Sequence, residues 1–107
     1  MLAPHALNTT KNPINLCSGY LIPVPNRFKK DLRRQKKRGK TPHKLQQIVA
    51  EICKTGTAPA QCRPHNLSGN WSGYAECHIE PDWLLIFTVQ MERVIFFRTG
   101  THSDLFA

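Results

Sequence analysis

Between His65 and Phe106 the chain carries three histidines, His65, His78 and His102, together with Asp82, Arg98 and two tryptophans, Trp71 and Trp83. Imidazoles titrate near neutrality and can take or give a proton, and an arginine fork can hold a developing negative charge. The set therefore suits acid–base chemistry carried out by side chains alone. Its spacing suits no common metal site. The nearest approach to one is Cys62-x-x-His65 followed by Cys77-His78. An extended stretch from Tyr74 to Ile79, however, puts Ala75, Cys77 and Ile79 on one face and Tyr74, Glu76 and His78 on the other. Ligands on opposite faces of one strand cannot close a tetrahedral shell, so no metal is expected. Cys77 reads as core and His78 as a site residue.

The elements that must position these groups follow from periodicity and punctuation. Residues 1–18 lack helical or alternating apolar spacing and are interrupted by Pro4 and Pro13, which predicts a loose arm ahead of one domain over 19–107. Tyr20 to Val24 reads as a strand whose Pro23 belongs at a sheet edge or bulge. Asn26 can cap a helix over 27–38 with Phe28 and Leu32 inward and Gly39 ending it. Thr41 and Pro42 open a second helix with Leu45, Ile48, Val49 and Ile52 as its buried stripe and Gly56 as its end. After a loop over 57–73, residues 74–79, 83–89 and 94–99 read as three antiparallel strands. Residues 83–87 are apolar on both faces, which predicts a central strand with the helical hairpin on one side and a C-terminal turn or a partner on the other. The tight turn over 80–82 would bring His78 and Asp82 to one end of the sheet, and His102 falls just past the last strand. The class is α+β.

At 107 residues one small core is expected, with no room for a large cofactor cleft, and no cofactor is called for. Fifteen Lys and Arg against seven Asp and Glu give a formal charge of +8, so polyanions are the expected partners. No apolar run approaches the roughly 18 residues needed to span a bilayer, and no signal-peptide core opens the chain, which predicts a cytoplasmic protein with reduced thiols. Nine of the basic residues, Arg27, Lys29, Lys30, Arg33, Arg34, Lys36, Lys37, Arg38 and Lys40, fall in one segment with Asp31 as its only acid. Such density repels itself at helical spacing. It is either a solvated face or a surface that binds a polyanion by displacing counterions.

The three blocks Pro64 to Trp71, Gly73 to Trp83 and Arg98 to Phe106, with their glycines and prolines, resemble the YafQ branch of the RelE-type mRNA-interferase toxins of bacterial toxin–antitoxin pairs. The likeness runs over roughly residues 20–107. It implies a RelE-like β-α-α-β-β-β fold, a small antiparallel sheet with a helical hairpin on one face. It implies a ribosome-dependent endoribonuclease that cuts translated mRNA at codons in the A site and inhibits growth. By that resemblance His102 is the general acid, His65 and Asp82 share base and nucleophile-orienting work, His78 orients substrate or assists proton transfer, and Arg98 binds the scissile phosphate. Trp83 becomes half core and half site wall, and Phe106 a surface for stacking on a base. The basic segment becomes the grip on ribosomal RNA, and the further partner an acidic, DNA-binding antitoxin. Ala75 and Phe87 depart from a basic residue and a tyrosine common at those places in the family. Two other readings stand beside this one: a ParE-type gyrase poison on the same fold, which generally lacks the histidine set, and a noncatalytic basic RNA-binding protein.

Overall fold

The computed structural model describes residues 14–17, 20–22, 24–90 and 93–106. It opens on a hairpin of β1 (Ile14–Cys17) and β2 (Tyr20–Ile22), followed by two helices, α1 (Asn26–Lys37) and α2 (Pro42–Thr55). A four-stranded antiparallel sheet then forms from β3 (His65–Asn66), β4 (Ala75–Glu80), β5 (Trp83–Gln90) and β6 (Arg93–Gly100) in that spatial order, and the chain closes with a short helix, α3 (His102–Phe106). The α+β class agrees with expectation, and so does the order β-α-α-β-β-β counted from Tyr20 once the additional two-residue β3 and the closing α3 are set aside.

Three local expectations need correction. Ile14–Cys17 is a strand and not part of a loose arm, because the backbone groups of Tyr20–Ile22 find their antiparallel partners there and not in the main sheet. Residues 1–13 and Pro23 lie outside the described residues. The stretch expected as loop contributes β3, whose His65 and Asn66 pair with Glu76 and Ala75. Asn26 lies inside α1: Pro25 is the cap, and its carbonyl accepts the N–H groups of Phe28 at 3.0 Å and Lys29 at 3.3 Å. The other helix ends are as read. Gly39 and Gly56 take φ of +89° and +82°, and the Gly56 N–H closes α2 on the Ile52 carbonyl at 2.7 Å.

The helical pair covers one face of the sheet, where Phe28, Leu32, Leu45, Val49 and Ile52 pack on Cys77, Trp83, Leu85, Phe87 and Phe96. On the other face Leu84 and Ile86 meet Leu105 of α3, with Leu67, Trp71, Tyr74 and Phe97 around them. Strand β5 is thus apolar on both sides because it is covered on both sides, and α3 is the cover that the pattern required. Cys77 is fully buried among the helices, and burial pushes its thiol up to about 12. Cys62, also buried, shifts upward for the same reason. Two polar residues on the inner side of α1, Asp31 and Gln35, are buried as well. Among the described residues no helix is long and apolar enough to cross a membrane.

Candidate active site

Alternation along β4 sends Glu76 and His78 to the face opposite the helices, where their register partners on β5 are Ile86 and Leu84. Pairing of β3 with β4 sets His65 directly across from Glu76. The result is two imidazoles on one carboxylate. His65 Nε2 lies 3.3 Å and His78 Nε2 3.7 Å from Glu76 Oε2, and Glu76 itself is only 5 % exposed. On their other sides His65 Nδ1 is 3.3 Å from the Arg63 carbonyl and His78 Nδ1 is 3.3 Å from the Pro81 carbonyl. A carbonyl can only accept, so Nδ1 carries hydrogen in both rings. On the Nε2 side both rings face the Glu76 carboxylate at ion-pair distance.

His102, the first residue of α3, is fixed by Asp82 in the β4–β5 turn. Asp82 Oδ1 accepts from the His102 backbone N–H at 3.0 Å and lies 2.8 Å from His102 Nδ1. These hydrogen bonds, the backbone one foremost, hold the Asp82 carboxyl below the usual carboxylate range. A carboxylate so stabilised is a weak base. The same oxygen thus meets both the backbone N–H and the ring of His102 and orients the imidazole. The His78 and His102 rings are 6.0 Å apart, and Phe106, 41 % exposed, lies 6.4 Å from His102 and 5.5 Å from Trp71 in an edge contact. Trp71 also meets Tyr74 and Phe97 edge-on, so it supports the aromatic wall behind α3.

Two expected site residues are placed otherwise. Trp83 is fully buried on the helix side, its indole N–H donating to Thr99 Oγ1 at 2.9 Å, so it has no surface to offer a substrate. The reason is parity: Trp83 shares a face with Leu85 and Phe87, and the histidines share one with Leu84 and Ile86. Arg98 does not stand open. Its Nε and Nη2 donate to Asp31 at 2.6 and 3.0 Å, and the same carboxylate accepts the Thr99 N–H at 3.3 Å. Asp31 and Glu76 are the residues that the sequence reading passed over. Glu76 could have been found, since it shares His78's face of the strand. Asp31 sits one turn from Phe28 on the inward side of its helix, a position where a lone acid calls for a buried cation.

The basic segment divides in the same way. Arg34 is 3.5 Å from Asp31, Arg38 makes a fork on Asp104 at 2.7 and 3.1 Å, and Lys40 lies 2.6 Å from Glu80, which Lys44 also meets at 2.7 Å. The remaining six, Arg27, Lys29, Lys30, Arg33, Lys36 and Lys37, make no ion pair among the described residues and leave their charge to solvent or a partner.

The carboxylates carry a prediction for acid stability. Hydrogen bonds from His102 to Asp82, from Arg38 to Asp104 and from Lys40 and Lys44 to Glu80 lower all three groups below their ordinary values. Depressed carboxylates stabilise the fold above their unfolded values, near 4, and that contribution is lost as pH falls through the lower folded values. Thermal unfolding followed from pH 6 to pH 2.5 is expected to show a midpoint that drops steeply below about pH 4. Asp104→Asn should flatten that limb. An equally steep limb in that variant would show that other groups carry it.

Comparison with known proteins places this geometry in a family. Residues 20–107 match the model of the family described as "Bacterial toxin of type II toxin-antitoxin system, YafQ". The Escherichia coli K12 mRNA interferase toxin YafQ is 37% identical over 86 residues, which span 79% of this chain and 94% of that protein. The crystal structure of the E. coli DinJ-YafQ toxin-antitoxin complex contains a chain that superposes with a TM-score of 0.70 at 36% identity, covering 78% of this chain and 93% of that one. A metal-bound toxin from Helicobacter pylori superposes with a TM-score of 0.70 at 28% identity, over 78% of this chain and 94% of its own.

Proposed function

We propose that this chain, which belongs to the YafQ family of toxins from bacterial type II toxin–antitoxin systems, is an mRNA endoribonuclease that cuts messages held in the ribosomal A site. The toxin and interferase class come with the family. The observation that carries the chemistry is the pair of imidazole–carboxylate units, His65–Glu76–His78 and His102–Asp82, brought to the α3 side of the sheet with the His78 and His102 rings 6.0 Å apart.

Cleavage runs by attack of the ribose 2′-oxygen on phosphorus as the bond from phosphorus to the 5′-oxygen breaks, leaving a cyclic phosphate and a 5′-hydroxyl. The 2′-proton passes to the His65–Glu76–His78 unit, and His102 Nε2 protonates the leaving oxygen. Arg98, held along one edge by Asp31, offers its remaining Nη1 donors to the phosphate. Phe106 stacks on a base of the codon. No step calls for a metal or a cofactor.

The six cations of α1 that make no ion pair among the described residues dock on ribosomal RNA by counterion release, without sequence readout. A charge-reversed variant at Arg33, Lys36 and Lys37 is expected to weaken ribosome binding and lower its salt dependence. Unchanged binding with an unchanged salt slope would make the segment a solvated face. A cognate antitoxin neutralises the chain, by analogy with the DinJ-YafQ toxin-antitoxin complex, and charge complementarity with a chain of +8 favours an acidic one. Both partners lie in the cytoplasm.

The test of the function is end-mapping of a defined message incubated with the purified protein, naked or on stalled ribosomes, each with a chelator control. In-frame cuts only on ribosomes, unaffected by chelation, are the expected result. Cuts on naked message would remove the ribosome requirement, and loss of cutting on chelation, restored by a divalent ion with ribosomes intact, would reopen a metal route. No cuts in either sample would favour the gyrase-poison or noncatalytic readings.

A further inference from the structure

Asp104 follows His102 by two residues, is not needed by the chemistry just described, and yet makes more directed contacts than any other carboxylate among the described residues. Its Oδ2 accepts the Thr101 N–H at 2.9 Å, while its own N–H donates to Thr101 Oγ1 at 3.1 Å, a reciprocal cap on the first turn of α3. The Arg38 fork reaches both oxygens, Gln35 Nε2 donates to Oδ2 at 3.2 Å, and Arg34 lies 3.9 Å from Oδ1. Space for this carboxylate is provided by Gly100, where a Cβ would come within 2.9 Å of Oδ2. Gln35 reaches it from a fully buried position at which its Oε1 has no partner, an unfavourable place for an amide without a compensating contact.

A helix of five residues cannot hold its own conformation in water, so what fixes α3 must come from outside it. Leu105 supplies one apolar anchor, and Asp82 holds the His102 N–H and ring from a turn, through side chains exposed on both sides. Asp104, 12 % exposed at its side chain against 42 % for Arg38, is the link that is multidentate and tied to a long helix. We propose that Asp104 is the positioning residue of the site, locking α3, and with it His102 and Phe106, onto α1 through Arg38 and Gln35. The inference rests on the reading of His102 as the catalytic acid. It also makes the docking helix and the catalytic helix one mechanical unit, since α1 carries the exposed cations and Gln35 and is capped by the arginine that grips Asp104.

The experiment compares wild type with Asp104→Asn, Asp104→Ala, Arg38→Gln and the double variant Asp104→Asn with Arg38→Gln. Asparagine keeps an acceptor for the Thr101 N–H and loses the charged fork. Single-turnover cleavage at saturating ribosomes is expected to fall roughly 10-fold in Asp104→Asn and Arg38→Gln, and about 10²-fold in Asp104→Ala, since displacement of a catalytic group by about 1 Å has effects of that size. Ribosome affinity of Asp104→Asn should be unchanged or tighter, because Arg34 and Arg38 are released. The double variant should be no slower than the worse single one, as for two members of one contact. Hydrogen exchange at the amides of 101–106, which needs no activity, should speed up in every variant at temperatures where all remain folded. Wild-type rates in Asp104→Asn and Arg38→Gln, additive losses, or unchanged exchange would each overturn the proposal. An inactive wild type with accelerated exchange in the variants would instead overturn the catalytic reading and leave the anchoring of α3 in place.

Discussion

Replacing His102 by alanine is expected to slow message cleavage by about 10²–10⁴-fold while leaving ribosome and antitoxin binding within a factor of about two. The imidazole is half exposed, with its Nδ1 side committed to Asp82 and its Nε2 side free, so truncation removes a proton donor without opening a cavity. A general acid acts in the transition state and adds little to ground-state affinity, so the loss should fall on the maximal rate and not on the concentration dependence. Asp82→Asn should reproduce part of the loss, because an amide in place of the carboxylate no longer stabilises the charged ring or enforces its tautomer. Single-turnover kinetics over a ribosome titration separate the two quantities. Full activity in His102→Ala would remove the acid from α3 altogether.

The second large effect is on folding. Asp31 is buried and Arg98 nearly so, 2 % and 14 % exposed at their side chains, and each is the other's main partner. Removing one member of such a pair strands the other charge, at a cost of about 3–5 kcal/mol. Arg98→Ala is expected towards the upper end, since Asp31 would keep only Arg34 at 3.5 Å and the Thr99 N–H. Asp31→Ala should cost less, because Arg98 can reach water. Asp31→Leu combined with Arg98→Met should return stability to within about 1 kcal/mol of wild type, as apolar replacement of buried pairs often does. Denaturant unfolding of the four proteins tests this, and a double variant as unstable as the worse single one would refute it. The same variant separates the two uses of Arg98. If Arg98 also holds the phosphate, the refolded double variant stays inactive; if it cuts at the wild-type rate, the arginine's work is structural.

Most of the fold was legible before any coordinates. Apolar stripes at helical spacing located both long helices, glycines and a proline marked their ends, and a strand apolar on both sides announced a sheet covered on both faces. The site was legible as residue types and as parity: Cys77 to the core, His78 to the opposite face. Parity also held two answers that went unread. Glu76 shares His78's face, and Trp83 shares that of Leu85 and Phe87, so the first belongs to the site and the second to the core. The strand Ile14–Cys17 and the short strand His65–Asn66 were missed because two to four residues carry too little periodicity to be seen.

What the sequence determined by itself are the properties that follow from residue type and local spacing: the charge of the chain, the helices, the alternation along β4 and β5, and the presence of three imidazoles without a metal-ligand pattern. Only the tertiary structure decided how charges over sixty residues apart are matched, with Asp31 taking Arg98 and Arg38 taking Asp104. Those pairings turned a uniformly basic helix into one whose inner side fastens the sheet and α3 and whose outer side is left for a polyanion. The physical reason is that alternation and helical period act over a few residues and are written into the chain. An ion pair depends on where two distant side chains arrive, and hence on how the sheet, helices and turns pack together.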